Sequence, residues 1–160
     1  MSMGSAQELL EAHHGMLIDG LTNVFGAFNQ EMLRHVLPRV EWLELGGGDV
    51  LLRQGDQDES LFFVVSGRLR ASHLDTNGAH MVLGEIARGE TVGEMAFFTG
   101  EPRTGTVVAI RDSVLARFSN AIFRELLLAY PLVSLNITRQ VIERFKRVNN
   151  GRQPATKPAI

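Results

Sequence analysis

The sequence predicts a mainly β protein, a sandwich or barrel of short antiparallel strands with helices on either side of it along the chain. From Val40 onward apolar residues alternate with a period of two, and glycine-centred turns separate the short apolar segments. Before residue 39 and after residue 118 the apolar residues recur at helical spacing. We therefore divide the chain into N-terminal helices at 1–38, a β region at 39–118, C-terminal helices at 119–149 and a flexible tail at 150–160.

The composition fits one globular domain with a sizeable core, since the chain has 160 residues of which 44% are hydrophobic and 21% charged. A net charge of −2 gives no general attraction to nucleic acid or acidic membranes. The absence of cysteine excludes disulfides and thiolate metal sites. No apolar run approaches the roughly 20 residues of a membrane span, and the N-terminus lacks a signal-peptide pattern. These features predict a cytoplasmic protein.

In the N-terminal region, the spacing of apolar residues predicts two helices, Ala6–Leu17 and Phe28–Leu37, and the second ends at Pro38. His13 and His14 are adjacent, so on a helix they point about 100° apart and make poor joint metal ligands. A solvated helix face explains them better.

The β region divides into strand-like segments with turns between them. Asn77-Gly78, between Leu74 and Met81, is a hairpin signal. The run Gly46-Gly47-Gly48 lacks the Lys-Ser or Lys-Thr that would follow in a P-loop, so we interpret it as a turn. The predicted strands are Val40–Leu45, Asp49–Arg53, Ser60–Ser66, Leu69–Leu74, Ala79–Glu85, Thr104–Ile110 and Val114–Phe118, with a turn at Ser66-Gly67.

The segment Thr91–Ala109, TVGEMAFFTGEPRTGTVVA, has the residues of an anion site. Gly93 allows the backbone to approach a ligand closely, because glycine has no Cβ. The Glu94 carboxylate can accept hydrogen bonds from sugar hydroxyls. A helical turn at Met95–Phe98 would leave its first N–H groups directed at an anion.

Gly100-Glu101-Pro102 ends that turn, because proline lacks an N–H and disfavours a helical residue before it. The guanidinium of Arg103, directly after the proline, suits two oxygens of a phosphodiester. Thr104 and Thr106 occupy alternate positions, so their hydroxyls can face one side of a strand. An ordinary turn with a surface ion pair is the alternative interpretation of this segment.

The runs Gly93-Glu94-Met95-Ala96 and Pro102-Arg103-Thr104-Gly105-Thr106 resemble the phosphate-binding cassette of cyclic nucleotide-binding domains. That family includes the catabolite activator protein, the regulatory subunits of protein kinase A and cyclic-nucleotide-gated channels. The resemblance implies a jelly-roll fold, with glycines such as Gly55, Gly67 and Gly93 at its corners. The sequence departs from the usual pattern at Gly105, where alanine is common.

The resemblance also implies roles for individual residues. Glu94 would hold the ribose 2′-hydroxyl, Arg103 the cyclic phosphate, and the N–H groups of Met95 and Ala96 the remaining phosphate oxygens. The residues expected to form the wall for the base are Ala71, Val82, Leu83 and Val92, although each could equally be ordinary core.

Two helices are predicted after the β region. Ser119 is a plausible N-cap for Asn120–Leu128, and Pro131 begins a helix that reaches about Val148. The resemblance implies that this last helix covers the ligand, with Arg144, Phe145 or Val148 capping the base. Its apolar stripe could instead pair with a second copy in a homodimer.

No catalytic constellation is recognisable, and we expect neither a cofactor nor a metal: the ligand would be cAMP or cGMP. Three interpretations stay open. They are a cyclic nucleotide-sensing regulatory module, a regulatory fragment of a larger enzyme, and an interaction scaffold with a degenerate pocket. The run Thr99–Arg103 with Arg111-Asp112-Ser113 is similar to domains preceding patatin-like lysophospholipases of the neuropathy target esterase type.

We favour the sensing module, and the retention of both Glu94 and Arg103 argues against the scaffold with a degenerate pocket. Thr104 resembles cGMP-preferring members, but the abundance of cAMP receptors favours cAMP. A basic helix such as the last one could contact DNA, but no helix-turn-helix pattern follows it. The regulated effector is expected to be a fused or associated domain.

Overall fold

The computed structural model describes residues 6–25 and 30–151. The N-terminal region forms α1 (Ala6–Phe25) and α2 (Gln30–Val36), followed by a 3-10 turn at Leu37–Arg39. Helix α1 is eight residues longer than predicted, since 25 − 17 = 8. Phe28, where the second helix was predicted to begin, lies outside the described residues.

The β region is a six-stranded antiparallel sheet, which confirms the mainly β prediction. Its order is β1-β6-β3-β4, while β2 pairs with β6 and β5 with β3. The strands are β1 (Glu41–Leu45), β2 (Val50–Leu52), β3 (Leu61–Leu74), β4 (His80–Ala87), β5 (Thr91–Val92) and β6 (Thr106–Phe118). The Asn77-Gly78 hairpin is confirmed, because Leu74 pairs with His80 across it.

The predicted turn at Ser66-Gly67 is wrong, because β3 continues through Gly67 as one 14-residue strand. Gly67 has a φ of +98°, and the register with β6 shifts between Ser66 and Arg68. A Cβ at Gly67 would collide with the Ser113 side chain. The glycine therefore marks a β-bulge, where an extra residue bends the strand without ending it. Strand β6 is likewise continuous where two strands were predicted.

Both faces of the first part of β3, Leu61–Val65, are buried, and this places that part of the strand between two cores. Phe63 packs with the helices, whereas Phe62 and Val64 point into the β-roll. The helical core includes Leu17, Leu21, Trp42, Phe118, Phe123, Leu126, Val133 and Ile137. The core of the β-roll includes Leu43, Leu45, Leu69, Ile86, Val107 and Leu115.

A short helix α3 (Glu94–Thr99) follows β5, and the C-terminal region forms α4 (Asn120–Ala129) and α5 (Pro131–Gly151). Ser119 caps α4, since its hydroxyl accepts a hydrogen bond from the Ile122 N–H at 3.3 Å. Helix α5 contributes Val133 and Ile137 to the core, two residues that the sequence analysis did not select. Among the α5 side chains that the structure describes, the exposed large apolar ones are Leu132, Leu135, Ile142 and Phe145.

Within residues 6–25 and 30–151, no single helix has the length and apolarity to cross a bilayer. Helices α4 and α5 satisfy that criterion only when taken together, and they meet at a 114° bend.

Candidate functional site

A cavity of about 840 Å³ lies between the β3–β4 wall, the segment after β5, and helix α5. Its lining is mostly apolar, with a few charged groups, as is typical of small-molecule sites. The lining residues are Leu52, Arg68, Ala71, Val82, Leu83, Gly84, Glu85, Ile86, Val92, Gly93, Glu94, Met95, Ala96, Arg103, Thr104, Gly105, Val107, Val141, Ile142, Arg144, Phe145 and Arg147.

One edge of the cavity is the short helix α3 (Glu94–Thr99), which lies between two glycines with positive φ. Gly93 precedes the helix with a φ of 92°, and Gly100 ends it with a φ of 70°. No side chain caps its N-terminus, so its first N–H groups are available to an anion. Phe97 packs edge to face on the buried ring of Phe123 at 4.5 Å, which joins α3 to α4.

Arg103 is 4% exposed and is held by three acceptors. Its Nη1 donates to the Gly93 carbonyl at 3.1 Å, and its Nη2 donates to the Ser60 carbonyl at 2.8 Å and to Asp58 Oδ2 at 3.0 Å. The Nε atom is buried with no hydrogen-bond partner among the described residues. These contacts fix the guanidinium at the wall of the cavity, where it retains unused donors.

The Asp58 carboxylate contacts Nη2 of Arg103, whereas the Gly93 carbonyl contacts Nη1. Burial alone opposes ionisation of this carboxyl, but hydrogen bonds from Ser60 and Arg103 outweigh that effect and leave the Asp58 pKa below its ordinary value. Asp58 therefore remains a carboxylate that partly balances the charge of Arg103.

Glu94 is 3% exposed and contacts helix α5 across the cavity. Arg144 Nη1 donates to Glu94 Oε1 at 2.7 Å, and its Nη2 donates to the Thr91 carbonyl at 2.6 Å. Glu94 Oε2 is buried and has no hydrogen-bond partner among the described residues. One oxygen of the carboxylate thus secures α5, while the other remains able to accept.

A second acidic residue strengthens the attachment of α5. Glu90 Oε2 lies 3.8 Å from Arg144 Nη2, and Glu90 Oε1 accepts from Arg147 Nη2 at 3.3 Å. Two carboxylates and two guanidinium groups therefore alternate between the segment near β5 and the last helix.

The β3–β4 wall carries a bulge beside the site. Ala71 pairs with Gly84 and Ser72 with Val82, so Leu83 is the extra residue on β4. A Cβ at Gly105 would lie 2.7 Å from the Ser72 carbonyl and 3.3 Å from Leu83 Cδ1. This close approach explains the glycine at a position where the resembling family commonly has alanine.

Most residues that the sequence selected line this one cavity. They are Ala71, Val82, Leu83, Val92, Gly93, Glu94, Met95, Ala96, Arg103, Thr104, Arg144 and Phe145. Thr106 is not among them, and its hydroxyl accepts from the Gln54 N–H at 3.0 Å. The side chain of Val148 lies outside the part of the chain that the structure describes.

Sequence reasoning missed Asp58, Ser60, Arg68 and Glu85. Asp58 and Ser60 lie more than 40 residues before Arg103 in the chain, since 103 − 60 = 43. Arg68 fell between the predicted strands at 60–66 and 69–74, and Glu85 was only the last residue of the predicted strand Ala79–Glu85. Among the described residues, no group of three or more His, Cys, Asp and Glu is arranged to hold a metal ion.

Comparisons with known proteins agree on this region. Residues 42–130 match the model of the family described as cyclic nucleotide-binding domain. Lysophospholipase nte1 of Aspergillus niger is 33% identical over 115 residues, which cover 72% of this chain. The chain spans only 8% of that relative's length.

Solved structures with the same fold cover both the sheet and the helices. A cyclic nucleotide-binding domain from Methylobacillus flagellatus superposes with a TM-score of 0.78 at 20% identity, covering 94% of this chain and 88% of that one. The regulatory domain of Toxoplasma gondii PKA, crystallised with cAMP, gives a TM-score of 0.65 at 25% identity, covering 72% of this chain and 45% of that one.

Proposed function

Because the chain belongs to the cyclic nucleotide-binding domain family, we propose that it is a regulatory module that binds cAMP or cGMP in the cavity beside α3. One observation carries the proposal. Glu94 and Arg103 are both buried in one lining, and each retains an unpartnered polar atom, the acceptor Oε2 and the donor Nε. A ribose hydroxyl and a phosphate oxygen would satisfy these two atoms.

The proposed roles follow from the chemistry of each group. Arg103 and the N–H groups of Met95 and Ala96 bind the cyclic phosphate, because rigid donors at a helix terminus favour an anion. Glu94 Oε2 accepts from the ribose 2′-hydroxyl. The base lies against Ala71, Val82 and Leu83, with Ile142 and Phe145 of α5 covering its other face.

The proposed output is a change in the position of α4 and α5. A phosphate bound at α3 acts on α4 through the contact of Phe97 with Phe123, and a ribose bound at Glu94 acts on α5 through Arg144. The free energy available for this coupling equals the difference in ligand affinity between the two helix positions, typically about 1–3 kcal/mol.

A second candidate is a regulatory fragment of a larger enzyme. It is favoured by the similarity to lysophospholipases, of whose length this chain spans 8%. In that case the same cavity would bind the nucleotide and the helices would act on a catalytic domain. The scaffold with a degenerate pocket is disfavoured by the retained Glu94 and Arg103. The homodimer through α5 and the cytoplasmic location stay predictions.

Calorimetric titration of cAMP and cGMP into the wild type and Arg103→Ala tests the proposal. We expect the wild type to bind at least one nucleotide and the variant to lose about 10- to 100-fold in affinity, as for a lost charged hydrogen bond. Arg117→Ala is the matched control, because Arg117 lies 3.9 Å from the same Asp58 but outside the lining. Circular dichroism verifies that each variant is folded. Equal affinities of wild type and Arg103→Ala would remove the phosphate contact.

A further inference from the structure

The charged groups in the cavity fall into two sets on different walls. The first set lies at α3 and the facing part of α5, where the proposed function places phosphate and ribose, and consists of Glu94, Arg103, Arg144 and Arg147. The second set is Arg68 on β3 and Glu85 on β4, which line the same cavity beside the apolar wall proposed for the base. The proposed function gives this second pair no role.

Arg68 and Glu85 form a defined pair. Arg68 Nη1 donates to Glu85 Oε2 at 2.8 Å, and Arg70, outside the cavity lining, donates from Nη2 to Glu85 Oε1 at 3.2 Å. Hydrogen bonds from Arg68 and then Arg70 lower the Glu85 pKa, so this carboxyl acts only as an acceptor at neutral pH. Each carboxylate oxygen keeps a free lone pair, and Arg68 keeps unused N–H donors in the plane of its guanidinium.

From this geometry we propose that Arg68 and Glu85 bind the edge of the base and that the site prefers guanine, so that cGMP binds more tightly than cAMP. The inference rests on the proposed function and names the ligand for it. Guanine presents the acceptor O6 next to two donors, N1–H and the N2 amino group. Arg68 would donate to O6 while Glu85 accepts from both donors.

Adenine fits the pair less well. Its Watson–Crick edge has a donor at N6 but an acceptor at N1, so Glu85 would gain one hydrogen bond and face the lone pair of N1. The N7 acceptor of adenine could accept a hydrogen bond from Arg68, but adenine has no O6 beside N7 to accept a second one. A side chain that forms two hydrogen bonds with a base distinguishes it from other bases better than a side chain that forms a single hydrogen bond. The pair therefore favours guanine over adenine.

The expected preference is moderate because both side chains are 41% exposed and water competes for their hydrogen bonds. We expect the wild type to bind cGMP about 5- to 10-fold more tightly than cAMP, near the lower limit for a bidentate base contact. Cyclic IMP, which keeps O6 and N1–H but lacks the N2 amino group, should fall between them.

The test is calorimetric titration of these three nucleotides into the wild type, Glu85→Gln, Arg68→Gln and Arg70→Gln. The first two variants should bring the cGMP to cAMP affinity ratio to within about twofold of unity, because each removes part of the guanine contact. Arg70→Gln is the matched control: it removes a cation from the same carboxylate but lies outside the lining, so the ratio should remain near that of the wild type.

Several outcomes would overturn the inference. These are equal or tighter binding of cAMP by the wild type, a ratio unchanged in both Glu85→Gln and Arg68→Gln, or an equal loss in Arg70→Gln. Failure of the wild type to bind any of the three nucleotides would instead overturn the proposed function, and this inference with it. The substituted side chains are half-exposed, and circular dichroism verifies that each variant folds.

Discussion

Substitution of Gly93 by alanine tests two requirements on the residue that precedes α3, a positive φ and room beside Arg103. Gly93 has a φ of +92°, and a Cβ there would lie 2.5 Å from Arg103 Nη1 and 2.8 Å from the Ser60 carbonyl. Gly100, at the other end of α3, has a φ of +70°, but its Cβ would meet only Glu59 Oε1 at 3.7 Å. The two glycines therefore share backbone strain and differ in close contacts.

The magnitudes follow from these contacts. A left-handed conformation costs an alanine about 1–2 kcal/mol, and both variants have this cost. At Gly93 the new methyl group must also displace Arg103 from the carbonyls of Gly93 and Ser60, which are now 3.1 and 2.8 Å away. Loss of these charged hydrogen bonds adds about 2–4 kcal/mol. We expect Gly93→Ala to lose roughly 3–6 kcal/mol of unfolding free energy and Gly100→Ala about 1–2 kcal/mol.

Urea unfolding followed by the fluorescence of Trp42, which is 2% exposed, measures both values. Nucleotide titration is the second measurement, because displacement of Arg103 should weaken binding in Gly93→Ala about as much as Arg103→Ala does, by about 10- to 100-fold, while Gly100→Ala stays close to the wild type. Equal losses of stability in the two variants would refute the reasoning, since strain alone would then account for both.

Two further predictions concern the charges around the cavity. The Asp58 pKa is lowered on folding, so its contribution to stability is present above the unfolded pKa of about 4 and is lost as the pH falls through the lower folded value. Asp58→Asn should thus be less stable than the wild type at pH 7, by under about 1 kcal/mol because the Asp58 side chain is partly exposed. Urea unfolding should find equal stabilities of the two proteins near pH 2, and a difference that persists at that pH would contradict the assignment. Arg144→Gln leaves the buried Glu94 carboxylate without its cation and should cost about 2–4 kcal/mol, with faster hydrogen exchange in α5. Arg147→Gln, whose side chain is 62% exposed, should cost under about 0.5 kcal/mol in the same assays, and similar losses in both variants would argue against the Arg144 contact.

The local elements were largely predictable because their signals lie within a few residues of each other. The Asn77-Gly78 hairpin, the Ser119 cap and the helical turn between Gly93 and Pro102 each depend on backbone preferences and neighbouring hydrogen bonds. The family resemblance added Glu94 and Arg103 as partners in one site, and the structure places both in the lining of one cavity.

The sequence by itself thus determined the class of fold, the order of its elements and the segment that carries the candidate anion site. Tertiary structure alone decided which distant groups complete that site. Asp58 accepts a hydrogen bond from Arg103, Arg144 donates one to Glu94, and Arg68 donates one to Glu85. It also decided that Gly67 bends a continuous strand instead of ending it. The physical reason is that periodicity and turn preferences act over a few residues, whereas these contacts depend on the register of paired strands and on the docking of α5.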